Sequence, residues 1–127
     1  LGAATHDMGK IVHPKELYAA GAQHELAGPA FLTQHGFPAD IARCARTHGR
    51  WADEELALEE LLVALADHVW KGARCERLET RIVELIAEKT GQQTWEVFQA
   101  VDELLNTITS NSEARLSWQA TAVPSRD

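Results

Sequence analysis

Cysteine is scarce in this chain. Cys44 and Cys75 lie far apart and form no Cys-x-x-Cys unit, so there is neither a disulfide framework nor a thiolate-rich zinc set. Two isolated thiols read instead as small packing residues in a reducing compartment. Long apolar runs are missing too: no stretch reaches the roughly 18 residues needed to span a bilayer. The N-terminus has no basic segment followed by a hydrophobic one, so no secretory signal is visible and a cytoplasmic location is the default expectation. No segment alternates polar and apolar with period two, which argues against a sheet. Positive charge is in deficit, with 12 Lys and Arg against 19 Asp and Glu and a formal net charge of −7. Such a surface is unsuited to neutralising the phosphates of a nucleic-acid polymer. One local exception, Arg43, Arg46 and Arg50 around His48, suits a small anionic ligand, or is a solvated face.

What remains is ordinary globular material. An apolar fraction of 45% and a charged fraction of 24% over 127 residues imply one domain with a real core. Helical punctuation runs throughout. Residues 1–8 read as the end of a helix stopped near Gly9, and residues 15–22 as a short link. A helix over 23–35 closes at Gly36 and carries Pro29, which should kink it or delay its start. Pro38 opens a helix to about His48. Over residues 53–71, Leu58, Leu61, Leu62, Leu65, Val69 and Trp70 recur at three- and four-residue spacing, a core-facing stripe ended by Gly72. Another helix over 76–90 ends at Gly91 and carries Leu78, Ile82, Leu85 and Ile86 on one face. Thr94 is placed to cap a helix over 95–108, whose apolar face either closes the core or pairs two copies as a homodimer. Ser110 and Glu113 have capping-box spacing for a last helix. The expected layout is a single all-α domain over 1–119, its site-bearing part about 1–75 and a helical extension about 76–119, with a frayed tail at 120–127.

The chemistry concentrates in His6–Asp7, His24, His48 and Asp67. Imidazole and carboxylate are the ligand pair for Zn, Mn, Fe or Ni, and all of these residues fall on stretches read as helical. Adjacent residues on a helix point about 100° apart. His6 and Asp7 therefore do not stack, but they can straddle a metal pair, the His on one ion and the carboxylate bridging both. Asp67 sits inside Val-Ala-Leu-Ala-Asp-His-Val-Trp, where a buried carboxylate must be paired or metal-bound. His24 and His48 each open or close a helix. His13, His35 and His68 have no such company and read as structural or surface residues.

The strings His-Asp-Met-Gly-Lys, Gln-His-Glu-Leu-Ala-Gly, Arg-Thr-His-Gly-Arg-Trp and Ala-Leu-Ala-Asp-His-Val-Trp-Lys-Gly together resemble the HD-domain metal-dependent phosphohydrolases over about residues 1–75. Trp-Glu-Val-Phe and its flanking helices look like the C-terminal extension of some small members. The resemblance implies an HD-like orthogonal bundle of helices, with His6, Asp7, His24, His48 and Asp67 on the metal-ligand positions. It also places Lys10 where many members keep a lysine for substrate phosphate. A further family ligand, a His on the preceding helix, has no counterpart from Leu1 onward, so the chain looks N-terminally shortened. Asp7, Lys10 and Asp67 would carry the catalysis. The implied cofactor is a divalent transition metal, two ions of Fe or Mn, with Zn, Ni or Co as alternatives. The implied activity is hydrolysis of a small phosphate ester, of nucleotide or cyclic-nucleotide class, by a metal-activated hydroxide. Gly49-Arg50-Trp51 stands where the cyclic-dinucleotide branch carries Gly-Tyr-Pro, which argues against that branch. Two other readings stay open: a non-catalytic regulatory or scaffold domain, and a dinuclear iron oxygenase on the same scaffold. No nucleic-acid polymer and no membrane is expected as a partner.

Overall fold

Gly36 and Gly72 each take a positive φ, 81° and 80°, and each closes a helix in the same way. Phe37 N–H donates to the Leu32 carbonyl and Gly36 N–H to that of Thr33, while Ala73 N–H donates to His68 and Gly72 N–H to Val69. Such paired bonds satisfy carbonyls that a helix end leaves without partners, and only glycine takes the left-handed turn without steric cost. At the first of these ends the accompanying apolar contact is also present, since Phe37 packs on the cluster containing Leu32.

The computed structural model describes residues 1–122. Among these residues the chain is all-helical, with no strand. Seven α-helices are present: α1 (Gly2–Thr5), α2 (Gln23–Gln34), α3 (Ala39–Thr47), α4 (Leu58–Trp70), α5 (Glu76–Thr90), α6 (Thr94–Ser110) and α7 (Ser112–Ala122). Two 3-10 turns, Met8–Ile11 and Pro14–Leu17, join α1 to α2. Contacts divide the chain into two compact units, Leu1–Leu65 and Ala66–Asp127, with the boundary inside α4. No described helix is long and apolar enough to cross a membrane.

In the first unit α2 packs on α3 and on the first 3-10 turn, and α1 packs on α3. Leu32, Ala42 and Ala45 form its core cluster, with Met8 and Phe37 packed against it. Two glycines set how closely these elements approach. A Cβ on Gly9 would overlap the His24 carbonyl oxygen and come within 2.8 Å of the Gly28 nitrogen. A Cβ on Gly28 would come within 2.9 Å of the Ala45 Cβ. The 3-10 turn, α2 and α3 are thus in near-backbone contact at one place. Behind it, Glu60 at the start of α4 is buried and accepts from the Ala57 N–H at 3.2 Å and the Thr47 hydroxyl at 3.3 Å, and pairs with Arg43 at 3.1 Å.

The second unit centres on Val83, Ala87 and Val97, with Ile86 and Val101 packed on them. Arg74 ties its α5 to α6. The guanidinium donates to both oxygens of Glu79 at 2.8 Å, to Asp102 at 2.7 Å and to Asn106 at 2.5 Å. The Arg74 bonds outweigh burial and hold the Glu79 carboxyl below its usual value, helped by the Cys75 N–H.

Several local expectations are corrected. The first helix stops at Thr5, so His6 and Asp7 lie in a turn rather than on a helix. Gly9 has no positive φ and serves close approach, not helix termination. The start of the expected 15–22 link belongs to a 3-10 turn, Pro14–Leu17. Pro29 does not delay α2, which runs from Gln23. Leu62 and Trp70 are exposed, while Ala64 joins Leu61, Leu65 and Val69 in the buried stripe. Gln93, not Thr94, caps α6, in a reciprocal box with Glu96. Ser110 ends α6 and donates to the Thr107 carbonyl instead of opening α7. Of the expected frayed tail, residues 120–122 are helical and 123–127 lie outside the described residues.

Two outcomes follow from this packing. Gly9→Ala should destabilise the fold by about 2 kcal/mol, because the methyl meets backbone atoms that have no rotamer to change; equilibrium urea unfolding measures it. For Glu79, a carboxyl lowered in the folded state contributes stability that is complete above its unfolded value of about 4.5 and is lost as pH falls below it. Thermal melting between pH 5 and about pH 3 should therefore fall less steeply for Glu79→Gln than for the parent chain.

Candidate metal centre

The turn between α1 and the first 3-10 turn presents Asp7 with φ −96° and ψ 5°, between the helical and extended basins. Met8, next in the chain, is anchored in the core and Gly9 lies against α2, so the Asp7 carboxylate is delivered to the start of α2. There it meets three imidazoles. Asp7 Oδ2 is 3.7 Å from His6 Nε2, while Oδ1 is 3.3 Å from His24 Nε2 and 3.8 Å from His48 Nε2. His48 caps the end of α3 and His24 sits in the first turn of α2, and both are buried. The His6 and His48 rings meet edge-on with centroids 4.8 Å apart, and those of His24 and His48 are 5.6 Å apart.

Each ring has its other nitrogen committed. The Ala3 carbonyl accepts from His6 Nδ1 at 2.7 Å, and the Ala45 carbonyl accepts from His48 Nδ1 at 3.1 Å. For His24 the acceptor is Glu16, with Nδ1 to Oε2 at 2.5 Å. A carbonyl or an ionised carboxylate accepts only, so Nδ1 is the protonated nitrogen in all three rings. In the neutral form every Nε2 therefore carries a lone pair, and these point at one carboxylate. This is how histidines are held for metal ligation, the second nitrogen fixing both tautomer and ring orientation.

The charges fit the same purpose. Burial tends to raise the Asp7 carboxyl, but the Lys10 hydrogen bond and charge, together with the charge of His6 and His24 whenever those rings are protonated, hold it below its usual value. Lys10 Nζ stands 2.6 Å from Asp7 Oδ2 and is largely buried, rather than a solvated loop lysine. Glu16 is a carboxylate that burial would raise, yet its bonds from the His24 ring and from the backbone N–H groups of His24 and Gln23 bring it to about 2. It therefore stays charged as the His24 support.

Ligand atoms of His6, Asp7 and His48 lie within 4.8 Å of one another, and so do those of His24, Glu25 and His48. Neutral imidazole with carboxylate suits a divalent first-row metal, and the residues present fit such an ion. The structure thus gathers His6, Asp7, Lys10, His24 and His48 around one point of the first unit. Asp67 belongs to the second unit, where it pairs with Lys71 at 2.7 Å. The Arg cluster is engaged in ion pairs: Arg43 with Glu54 and Glu60, Arg46 with Glu54, and Arg50 with Glu25. His35 stacks on Phe31 and donates to its carbonyl. Cys44 is buried and Cys75 partly so, both as free thiols.

Sequence reasoning missed Glu16 and Glu25. Glu16 had no local signal, because its partner lies eight residues on. Glu25 had one, a second His–carboxylate dipeptide, His24–Glu25.

An all-helical scaffold that gathers histidines and an aspartate places the described residues in the class of helical proteins with a candidate His/Asp metal site. Within it, the family model described as HD domain matches residues 1–70, and the chain belongs to that family. HD domains are generally metal-dependent phosphohydrolases that bind divalent metals. Comparison with curated proteins and with solved structures gave no match.

Glu16→Gln keeps an acceptor for the α2 N–H groups and removes the charge behind His24. It should weaken metal binding by roughly tenfold to a hundredfold with little loss of helicity. Competition against a chromophoric chelator reads the affinity, and an unchanged value would show that Glu16 only caps the helix.

Proposed function

We propose that this chain is a phosphohydrolase acting on a small phosphate ester, of nucleotide or cyclic-nucleotide class, with two divalent transition-metal ions. Fe and Mn are the first candidates, and Zn, Ni and Co the alternatives. The observation that carries the reading is the pairing of Asp7 with imidazoles on both sides: His6 faces Oδ2, and His24 and His48 face Oδ1. With the ions bound, Asp7 and His6 would hold one of them, and Asp7, His24 and His48 the other. Bound divalent ions lower the pKa of water to near neutrality and offset charge on a phosphoryl group.

The chain's own residues do the rest. Lys10, bonded to Asp7 Oδ2, favours the ionised form of the Asp7 carboxyl. Glu16 and the Ala3 and Ala45 carbonyls keep three Nε2 lone pairs aimed inward, so no ring has to reorient before it binds. Lys10 brings a positive charge to the site, where it meets an anionic phosphate oxygen of the substrate as a point charge. His24 and His48 are buried, which strengthens their interactions with the partly exposed Asp7 carboxylate.

Elemental analysis of protein purified without chelators or affinity-metal resin, followed by a phosphate-release screen on small phosphate esters, tests the proposal. About two metal equivalents per chain and release from at least one ester are expected. Asp7→Ala should then lower turnover by roughly a thousandfold or more, a loss of about 4 kcal/mol in the barrier, with the helical spectrum retained. Undiminished turnover in Asp7→Ala would overturn it.

A further inference from the structure

Glu25 has no role in the two-ion arrangement proposed above, yet its surroundings are those of a ligand. Its side chain is 13% exposed, and its ion pair is a long one, 3.4 Å from Oε2 to Nε of the half-exposed Arg50. A carboxylate that deep in the protein needs more compensation than a single contact at that distance supplies. Its ligand oxygen lies within 4.8 Å of ligand nitrogens on both His24 and His48. Donor atoms on one first-row ion lie about 3 to 4.2 Å apart, adjacent ones at the lower end, so the three would close around an ion by up to about 1.5 Å. Space for the carboxylate comes from Gly49: a Cβ there would lie 2.7 Å from Glu25 Cδ. His48, Gly49 and Arg50 thus supply in succession a ligand, a gap and a counter-charge.

We infer that Glu25 is a further metal ligand, completing the coordination of the ion held by His24 and His48. The inference rests on the metal-centre reading above and adds a residue to it. His24–Glu25 then repeats on α2 what His6–Asp7 does in the turn, a histidine and a carboxylate offered from adjacent positions. The ion on this side has two imidazoles, a share of Asp7 and a second carboxylate, a harder and more anionic set than two histidines and one bridge. Such a set favours Mn or Fe over softer ions. The competing explanation is that Glu25 merely pairs with Arg50 and complements the positive end of α2.

Titration of the purified chain with Mn²⁺, followed by calorimetry and electron paramagnetic resonance, separates the two. The parent chain should bind two equivalents and give a spin-coupled spectrum. Glu25→Gln should weaken one equivalent by roughly tenfold or more, leave the other unchanged, and yield the six-line signal of an isolated ion. Gly49→Ala, whose methyl meets only the end of a flexible side chain, should act in the same direction by displacing the carboxylate. Arg50→Ala removes the competing cation and should keep or tighten both equivalents. If Glu25→Gln matches the parent in both, or if Arg50→Ala loses an ion as Glu25→Gln does, Glu25 is a structural partner and the inference falls while the metal centre stands. A parent chain that binds no Mn²⁺ overturns both together. Circular dichroism of each variant establishes that the fold is retained.

Discussion

Three imidazoles turn the same nitrogen toward one carboxylate because each has its other nitrogen occupied, by Ala3, Glu16 or Ala45. Most of what is distinctive in the first unit serves that arrangement. Lone pairs gathered around an ionised oxygen repel one another unless something positive lies among them. Lys10 supplies part of that charge from one side. A divalent cation would supply the rest, and the ligand geometry is the form in which the fold expresses that demand.

The backbone makes this possible by close approach. Because neither Gly9 nor Gly28 carries a side chain, the turn after Asp7 rests directly on α2, and α2 rests directly on Ala45 of α3. His24 and His48 come from those two helices, so the distances between ligands are set by near-backbone contacts rather than by long side chains. Met8 fixes the same turn from the core side. Site and core are therefore one construction in this unit. A change that loosens the glycine contact acts on the ligands as well as on stability.

Much of this was legible from residue types and spacing. The α5 limits, 76–90, and the stops at Gly36, Gly72 and Gly91 were read correctly because each signal is local: an apolar stripe, then a residue suited to a left-handed turn. That His6, Asp7, His24 and His48 come together was expected from their chemistry and order. The non-local features were not legible. Gly9 looked like a helix stop, but what it does depends on α2 arriving above it. Glu16 finds its partner only when the second 3-10 turn folds back on the start of α2. Gln93 and Thr94 are both competent caps, and the choice went to Gln93 because Glu96 lies three residues on to answer it. Leu62 and Trp70 keep helical spacing with the buried stripe and are exposed nonetheless, since periodicity gives the face but not its width.

The central claim concerns which nitrogen of each histidine carries the proton, and long-range ¹H–¹⁵N correlation spectra of the ring nitrogens at neutral pH read it directly. The account predicts that His6, His24 and His48 all keep Nδ1 protonated, and that adding Zn²⁺ shifts the three Nε2 resonances to those of unprotonated ligand nitrogens. An unprotonated Nδ1 on these rings, or Nε2 resonances that stay protonated and indifferent to the metal, would contradict it.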